Sequence, residues 1–283
     1  MNLQNFMSYR LLALATAVIF SAGLTTANAT EPCDPDFGEC KALIEINSTD
    51  GDIGFHFLMD GDDLLYGALY NPKHRKIFSY LVRRELKEQT LTETFAESAE
   101  PLCDLSLVEE EDDEVVTLEE FLGRWSEGTY HFFGISEGWE FSHGETELMF
   151  DLPAAPDLEC VGCGFDGSVI SWEGGDDLGE CSEGLQDLID DEVLPDPEGV
   201  AVAAWEVVFE PDVDDGDPLG ALVFSIRVPV GQLSVTVPPD YLASLPNDTL
   251  AKVEVGAIGV EDNATFTEIF DICVKEVDGC GDD

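Results

Sequence analysis

The stretch 245-LPNDTLAKVEVGAIGVEDNATFTEIF-270 decides the fold. Val253, Val255 and Ala257 recur at every second position, the period of a strand that buries one face. Residues 260–263, Val-Glu-Asp-Asn, interrupt the pattern with turn formers, and a second alternating run follows. The stretch therefore reads as two antiparallel strands and the loop joining them. Working upstream, "QLSVTVPPDYL", "ALVFSIRVPV", "VAVAAWEVVFE" and "SVISWEGG" (168–175) are further strands separated by Gly, Pro and Asp. Residues 176–199 form an acidic insertion dotted with Gly and Pro that carries Cys181. "AAP" at 154–156 looks like a linker.

The part before that linker is also rich in strands. "ALIEIN", "IGFHFLM" and "LLYGALY" are apolar runs punctuated by Asp-Gly steps, which is hairpin chemistry. Thr117 followed by Glu120 is a capping box. Behind it, Leu118, Phe121, Leu122 and Trp125 share one helical face, which predicts a short helix over 118–125. "TYHFFGI" and "GWEFSHGETELMFDLP" return to strand. Helices and strands do not alternate as in a parallel-sheet enzyme. The expected architecture is mostly β. A β-rich antiparallel unit over 33–153 contains the one short helix. A β-sandwich over 156–275 follows and carries the insertion 176–199.

The first residues predict export. Arg10 precedes a 14-residue apolar run, Leu11–Leu24, and then Ala27-Asn28-Ala29. The run is shorter than the roughly 20 residues a spanning helix needs, and the small-residue triplet suits signal peptidase. Residues 1–29 are therefore read as a signal peptide, with no transmembrane segment after cleavage. The expected location is periplasmic or extracellular. Eight cysteines, Cys33, Cys40, Cys103, Cys160, Cys163, Cys181, Cys273 and Cys280, are an even number in an exported chain and read as disulfides of open connectivity. A zinc reading of Cys160 and Cys163 lacks a second ligand pair nearby.

Sixty-one Asp and Glu against 12 Lys and Arg give a net charge of −49. Such a polyanion repels nucleic acid and anionic lipid. Self-repulsion fades as the Debye length falls to about 3–5 Å in strong salt, so the composition suits a salty or divalent-rich medium. The run 109–114, "EEEDDE", reads as a solvated loop. Half of the 12 cations sit together as Lys73, Arg75, Lys76, Arg83, Arg84 and Lys87. The first reading is that they neutralise neighbouring carboxylates. The alternative is a docking patch for an acidic partner.

From about 156 to 275 the chain resembles a fibronectin type III domain. The Trp172 strand looks like that family's B strand and "AWEVVFE" its C strand. "SVTVPPDYLASLPNDTLAKVEVGAIG" looks like the E strand, the E–F corner and the F strand; "EDNATFTEIFDI" looks like the turn into the G strand. Ala251 stands where the family usually carries its corner Tyr, so the corner would be held otherwise, by Pro246. The preceding unit, with "TLEEFLGRWSEGTYHF", resembles exported bacterial proteins of unassigned function that place this segment before a fibronectin-like domain. The resemblance implies binding or spacing rather than catalysis, toward an unidentified protein or surface partner. The loop around Asp262 and Asn263 would be a contact site.

"GISEG" (134–138) matches a G-x-S-x-G elbow around Ser136, the one candidate for a serine hydrolase. An elbow needs a helix to follow, whereas a strand-like run follows here. The four histidines are scattered in sequence, which argues against a transition-metal site. Calcium is the leading chemical candidate, because Asp60, Asp62 and Asp63 in "DGDD" and Asp212, Asp214 and Asp217 in "DVDDGD" put hard oxygens on turns. Neither run fits an EF-hand loop. Asn47, Asn247 and Asn263 match the N-x-S/T glycosylation pattern.

Overall fold

The computed structural model describes residues 33, 37–108, 114–214, 216–277 and 280. The expected signal peptide (1–29), Asp215 and nearly all of the acidic run 109–114 lie outside them.

The chain is mostly β. Its first half contributes β1 (Glu39–Asn47), β2 (Asp52–Tyr70), β3 (Lys76–Leu81), β4 (Leu91–Glu97), β5 (Gly128–Ser136) and β6 (Phe141–Leu148). The second half contributes β7 (Asp157–Val161), β8 (Val169–Glu173), β9 (Val202–Pro211), β10 (Phe224–Pro229), β11 (Ser234–Thr236), β12 (Thr249–Gly259) and β13 (Ala264–Val274). Four short helices interrupt them: α1 (Glu85–Gln89), α2 (Leu118–Arg124), α3 (Leu185–Asp190) and α4 (Pro239–Ser244). Helix α2 is the expected one, and the Thr117 hydroxyl accepts from Glu120 N at 3.3 Å. Helix α1 is an addition to the single helix expected in this half. It is one turn with no buried residue, so no apolar periodicity announces it.

The second half pairs as a β-sandwich. Strands β7, β8 and β11 form one sheet, and β10, β9, β12 and β13 lie side by side in the other. Val253, Val255 and Ala257 all point inward and are fully buried. Trp172 and Trp205 meet between the sheets with centroids 6.0 Å apart. The corner is tied by Pro246, whose carbonyl accepts from the Thr249 hydroxyl at 3.1 Å. It is also tied by Tyr241 of α4, whose hydroxyl lies 2.8 Å from the carbonyls of Phe209 and Leu222.

The two halves share a sheet. Strand β13 pairs on its far side with β1, in parallel, through Glu45↔Ala264, Ile46↔Thr265 and Asn47↔Phe266. The order β10-β9-β12-β13-β1-β2-β5-β6 runs through as one sheet, with β3 and β4 also on β2. Under it lie two separate cores. The first contains Ile44, Ile46, Ile53, Phe55, Phe121 and Phe132, and the second contains Trp172, Trp205, Val207, Phe209, Val253 and Val255. Residues 154 and 155, read from the sequence as a linker, bond through their amides to the carbonyls of Pro197 and Asp177 in the insertion. The insertion 176–199 leaves the sandwich and packs Leu178, Leu185, Leu188 and Leu194 into the first core.

All eight cysteines pair, as Cys33–Cys40, Cys103–Cys181, Cys160–Cys163 and Cys273–Cys280. Cys103–Cys181 fastens the insertion to the first half. No helix among the described residues is long and apolar enough to cross a membrane.

Candidate functional site

Two places collect chemistry, and both follow from strand alternation. The first is the outer face of β2, β5 and β6. Tyr130 and Phe132 point into the core, so His131 and Phe133 point out. Register places His131 opposite both Tyr70 and Glu145, and Phe133 opposite His143. On β6 the two-residue period puts Phe141, His143 and Glu145 on this face. Gly144, between them, turns inward, where a Cβ would stand 2.2 Å from the Cys33 sulfur. His131 Nδ1 lies 3.0 Å from Glu145 Oε1, and His143 Nε2 lies 3.6 Å from the same oxygen. His74 comes from the β2–β3 turn and stacks on His131 with centroids 5.1 Å apart. That turn is fixed by Asn71, whose side-chain oxygen accepts from Lys73 N and Arg75 N at 3.1 and 3.0 Å. Tyr70, His74, His131, Phe133, His143 and Glu145 line a cleft of about 380 Å³. Three histidines far apart in sequence therefore share one cleft, which corrects the expectation that they are scattered. Cross-strand register is the cause, and it is invisible in single-strand spacing.

Two of the basic residues reach this face or its border. Lys73 donates to the Ser126 hydroxyl at 2.8 Å, and Lys76 reaches the Tyr66 hydroxyl at 3.4 Å. Among the described residues, none of Lys73, Arg75, Lys76, Arg83, Arg84 and Lys87 forms an ion pair with a carboxylate. All six are exposed. The expected internal neutralisation is therefore absent from the described residues. Tyr66, Phe133 and Phe141 continue the face, with neighbouring rings 6.4 and 5.7 Å apart. Trp139 and Phe141, at the β5–β6 tip, are 74% and 67% exposed.

The second place is a carboxylate chamber on the sheet face opposite the cores, at the β13–β1 seam. Glu254 and Glu268 are directly paired across β12 and β13. Like charges so placed repel, and both side chains are at most 5% exposed. They share Lys252, whose Nζ lies 2.5 Å from Glu254 and 3.3 Å from Glu268. Glu268 Oε2 is buried and meets no donor. Beside them stand Glu45 and Asn47 of β1, Asp52 and His56 of β2, and Glu100. His56 bonds Glu100 at 3.1 Å and lies 3.8 Å from Glu45. Gly54 makes this pair fit, because a Cβ there would come within 2.9 Å of both His56 Nε2 and Glu100 Oε1. Glu45, Asp52, Glu254 and Glu268 border a cavity of about 20 Å³, space for a single water-sized occupant.

Burial governs the protonation of the chamber. It pushes Glu45 up to about 7 against the pull of His56. It pushes Asp52 up to about 8, aided by Glu100 and Asp50. Glu268 is driven upward by burial and then by Glu254. His56 is raised: burial would lower it, but the bond to Glu100 and the charge of Glu45 prevail. Lys252 is raised for the same kind of reason, with Glu254 and Glu268 outweighing burial.

The other residues singled out in the sequence sit elsewhere. Asp60, Asp62 and Asp63 stand inside the continuous strand β2 rather than on the expected turn; Asp60, paired with Glu39 and Glu93, is raised by burial and by Asp62 and Glu39. Asp62 and Asp63 are exposed, and Asp63 accepts from the Thr90 hydroxyl at 3.0 Å. Asp212 and Asp214 are exposed beyond β9, and Asp217 caps a single 3-10 turn at Leu219 N. Strands β12, β13 and β1 lie between β9 and β2, so the two Asp groups do not share a site. Ser136 closes the β5–β6 turn, its amide bonding the Glu140 carbonyl at 3.0 Å; strand β6 follows, as expected from the sequence. Asp262 pairs with Lys41 at 3.1 Å. Asn263, expected at a contact loop, is instead fully buried. It accepts from Ile44 N at 2.8 Å and donates to the carbonyls of Met149 and Asp151 at 2.7 and 3.1 Å. Of the three glycosylation matches, Asn47 and Asn263 are buried and Asn247 is exposed.

No family model matches the chain, and no curated protein matches it. Among solved structures it is similar to domains A168–A170 of titin, at 10% identity and a TM-score of 0.26, over 81% of this chain and 66% of that one. It is similar to a two-domain fibronectin type III segment of chicken tenascin, at 8% and 0.25, over 83% and 99%. A bacterial ice-binding adhesin matches at 11% and 0.24, over 84% and 65%. The chain spans just under two thirds of the titin and adhesin structures. Identities and scores at this level assign neither family nor activity.

Proposed function

We propose that this chain is an exported, non-catalytic binding protein of the adhesion type, which meets an acidic partner through the cation-flanked aromatic face of β2, β5 and β6. The observation that carries the reading is the six exposed cations of residues 73–87. In a chain with 61 acidic residues none of the six forms an ion pair with a described carboxylate. Trp139 and Phe141, exposed at the β5–β6 tip, are side chains of the type that anchors interfaces. Four disulfides support an oxidising destination.

Heparin, as a polyanion probe, tests the reading. At about 0.15 M salt the Debye length is ~8 Å, short enough for a local patch to act against the net charge. Saturable binding is expected, and it should vanish in the triple variant Arg75→Glu, Lys76→Glu, Arg84→Glu. Equal retention of variant and parent, or no binding by either, would remove the reading.

A second reading, a calcium-stabilised structural spacer, is favoured by the chamber. Five carboxylates (Glu45, Asp52, Glu100, Glu254 and Glu268) surround it against His56 and Lys252, and the buried Glu268 Oε2 has no donor. A dication with oxygen ligands would answer both. Melting with and without millimolar Ca²⁺ at matched ionic strength is the test. At 100 times its dissociation constant Ca²⁺ would add about 2.7 kcal/mol, and Glu268→Gln would abolish the gain. A shift no larger than NaCl gives would leave the spacer without support.

A further inference from the structure

Calcium prefers oxygen, and the chamber is built of it. The cleft at His131, His143 and Glu145 has a different donor set, two imidazoles and one carboxylate. One ligand atom from each lies within 4.8 Å of the other two. A tetrahedral zinc ion holds its donors at about 2.0–2.2 Å, so neighbouring donors stand roughly 3.3 Å apart. The two His–Glu distances, 3.0 and 3.6 Å, already bracket that spacing. An ordinary cross-strand pair would explain His131 with Glu145, since they are register partners. It would not explain why His143, from the neighbouring register position, turns to the same carboxylate oxygen.

The scaffold is also of the right kind. His131 stands on β5, and His143 and Glu145 stand two residues apart on β6, so all three rise from paired strands rather than loops. Buried Gly144 seats β6 against the Cys33–Cys40 disulfide behind them. His74 covers one face of the His131 ring from a turn that Asn71 holds. Three protein ligands leave a coordination position free, and the cleft of about 380 Å³ opens beside it.

We infer that His131, His143 and Glu145 form a binding site for a borderline divalent transition metal of the zinc type, with at least one coordination position open to the cleft. The site lies apart from the chamber and, though on the same face as the proposed binding surface, does not rest on that reading.

The test uses the full exported chain with Ca²⁺ in excess, so that hard-oxygen sites are already filled. Zn²⁺ titrated by calorimetry should bind at one equivalent, and Co²⁺ in its place should give the intense visible band of a low-symmetry tetrahedral site. Single variants His131→Gln and Glu145→Gln should each weaken Zn²⁺ by more than about tenfold, the lower bound for loss of even an outer-shell partner. The double variant His131→Gln, His143→Gln should abolish both the binding step and the Co²⁺ band. All three side chains are at least partly exposed, so the variants are expected to keep the parent's circular dichroism. His56→Gln should leave Zn²⁺ affinity unchanged. Equal Zn²⁺ binding by parent and double variant would show adventitious binding by surface carboxylates and overturn the proposal, as would the absence of a saturable step in the parent.

Discussion

Asn263 shows how much one side chain can carry. It is fully buried at the start of β13 and spends its oxygen on Ile44 N and its amide on two carbonyls of residues 149–151. It thereby joins β13, β1 and the segment after β6. Asn263→Ala would strand three backbone groups without partners, at a cost of about 1–3 kcal/mol for each that water cannot reach. Chemical denaturation should show a loss of at least about 2 kcal/mol. Asn263→Asp should be no better, because a carboxylate there would face the carbonyls of Met149 and Asp151. The sequence announces the loop correctly, since Asp and Asn between two alternating runs mark a turn. It does not announce that the Asn points inward. That depends on β1, whose bond to Asn263 spans a separation of 219 residues. The same limit hides the metal-type cleft: His131, His143 and Glu145 alternate legibly on their own strands, and only the register brings them together.

At the scale of elements, alternation was enough to place β8, β9, β10, β12 and β13 and the inward set Val253, Val255 and Ala257. The capping box was enough for α2. The insertion was harder, because its leucines are spaced among acids and glycines and have no period to read. Its attachment is the disulfide Cys103–Cys181, closing a separation of 78 residues. Chain-entropy arguments give a loop of that size about 4–5 kcal/mol. Cys103→Ser with Cys181→Ser should lower stability by that order. Limited proteolysis should then cut first within 176–199, while the sandwich core around Trp205 stays protected. First cleavage elsewhere would mean that the packing of Leu178, Leu185, Leu188 and Leu194 holds the insertion without the bridge.

For the whole molecule, the acidic chamber sets the response to pH. Glu45 and Asp52 titrate near 7 and 8 in the folded chain, against ordinary carboxylate values of 4.5 and 3.8. The folded state therefore holds more protons than the unfolded state between roughly pH 4 and 8. Where that is so, stability falls as pH rises. His56, also raised, contributes in the same sense. Without divalent cations the protein should be most stable near pH 4–5, and its melting temperature should drop steadily toward pH 9. Glu268→Gln should flatten that slope and raise stability at pH 8. A melting temperature that climbs from pH 5 to 8 in the parent would show that the chamber is neutralised some other way.

The seam between β1 and β13 also fixes when the molecule can be finished. Ribosomal synthesis delivers β1 some 219 residues before its partner β13, and no local pairing can substitute for a partner that far along the chain. Until β13 emerges, the edge of β1 stays open to other chains. The seam closes only after β13 has been made, whichever strands have paired before it. A ribosome-stalled fragment ending before residue 264 should form the β1–β2 and β5–β6 hairpins yet self-associate through that open edge.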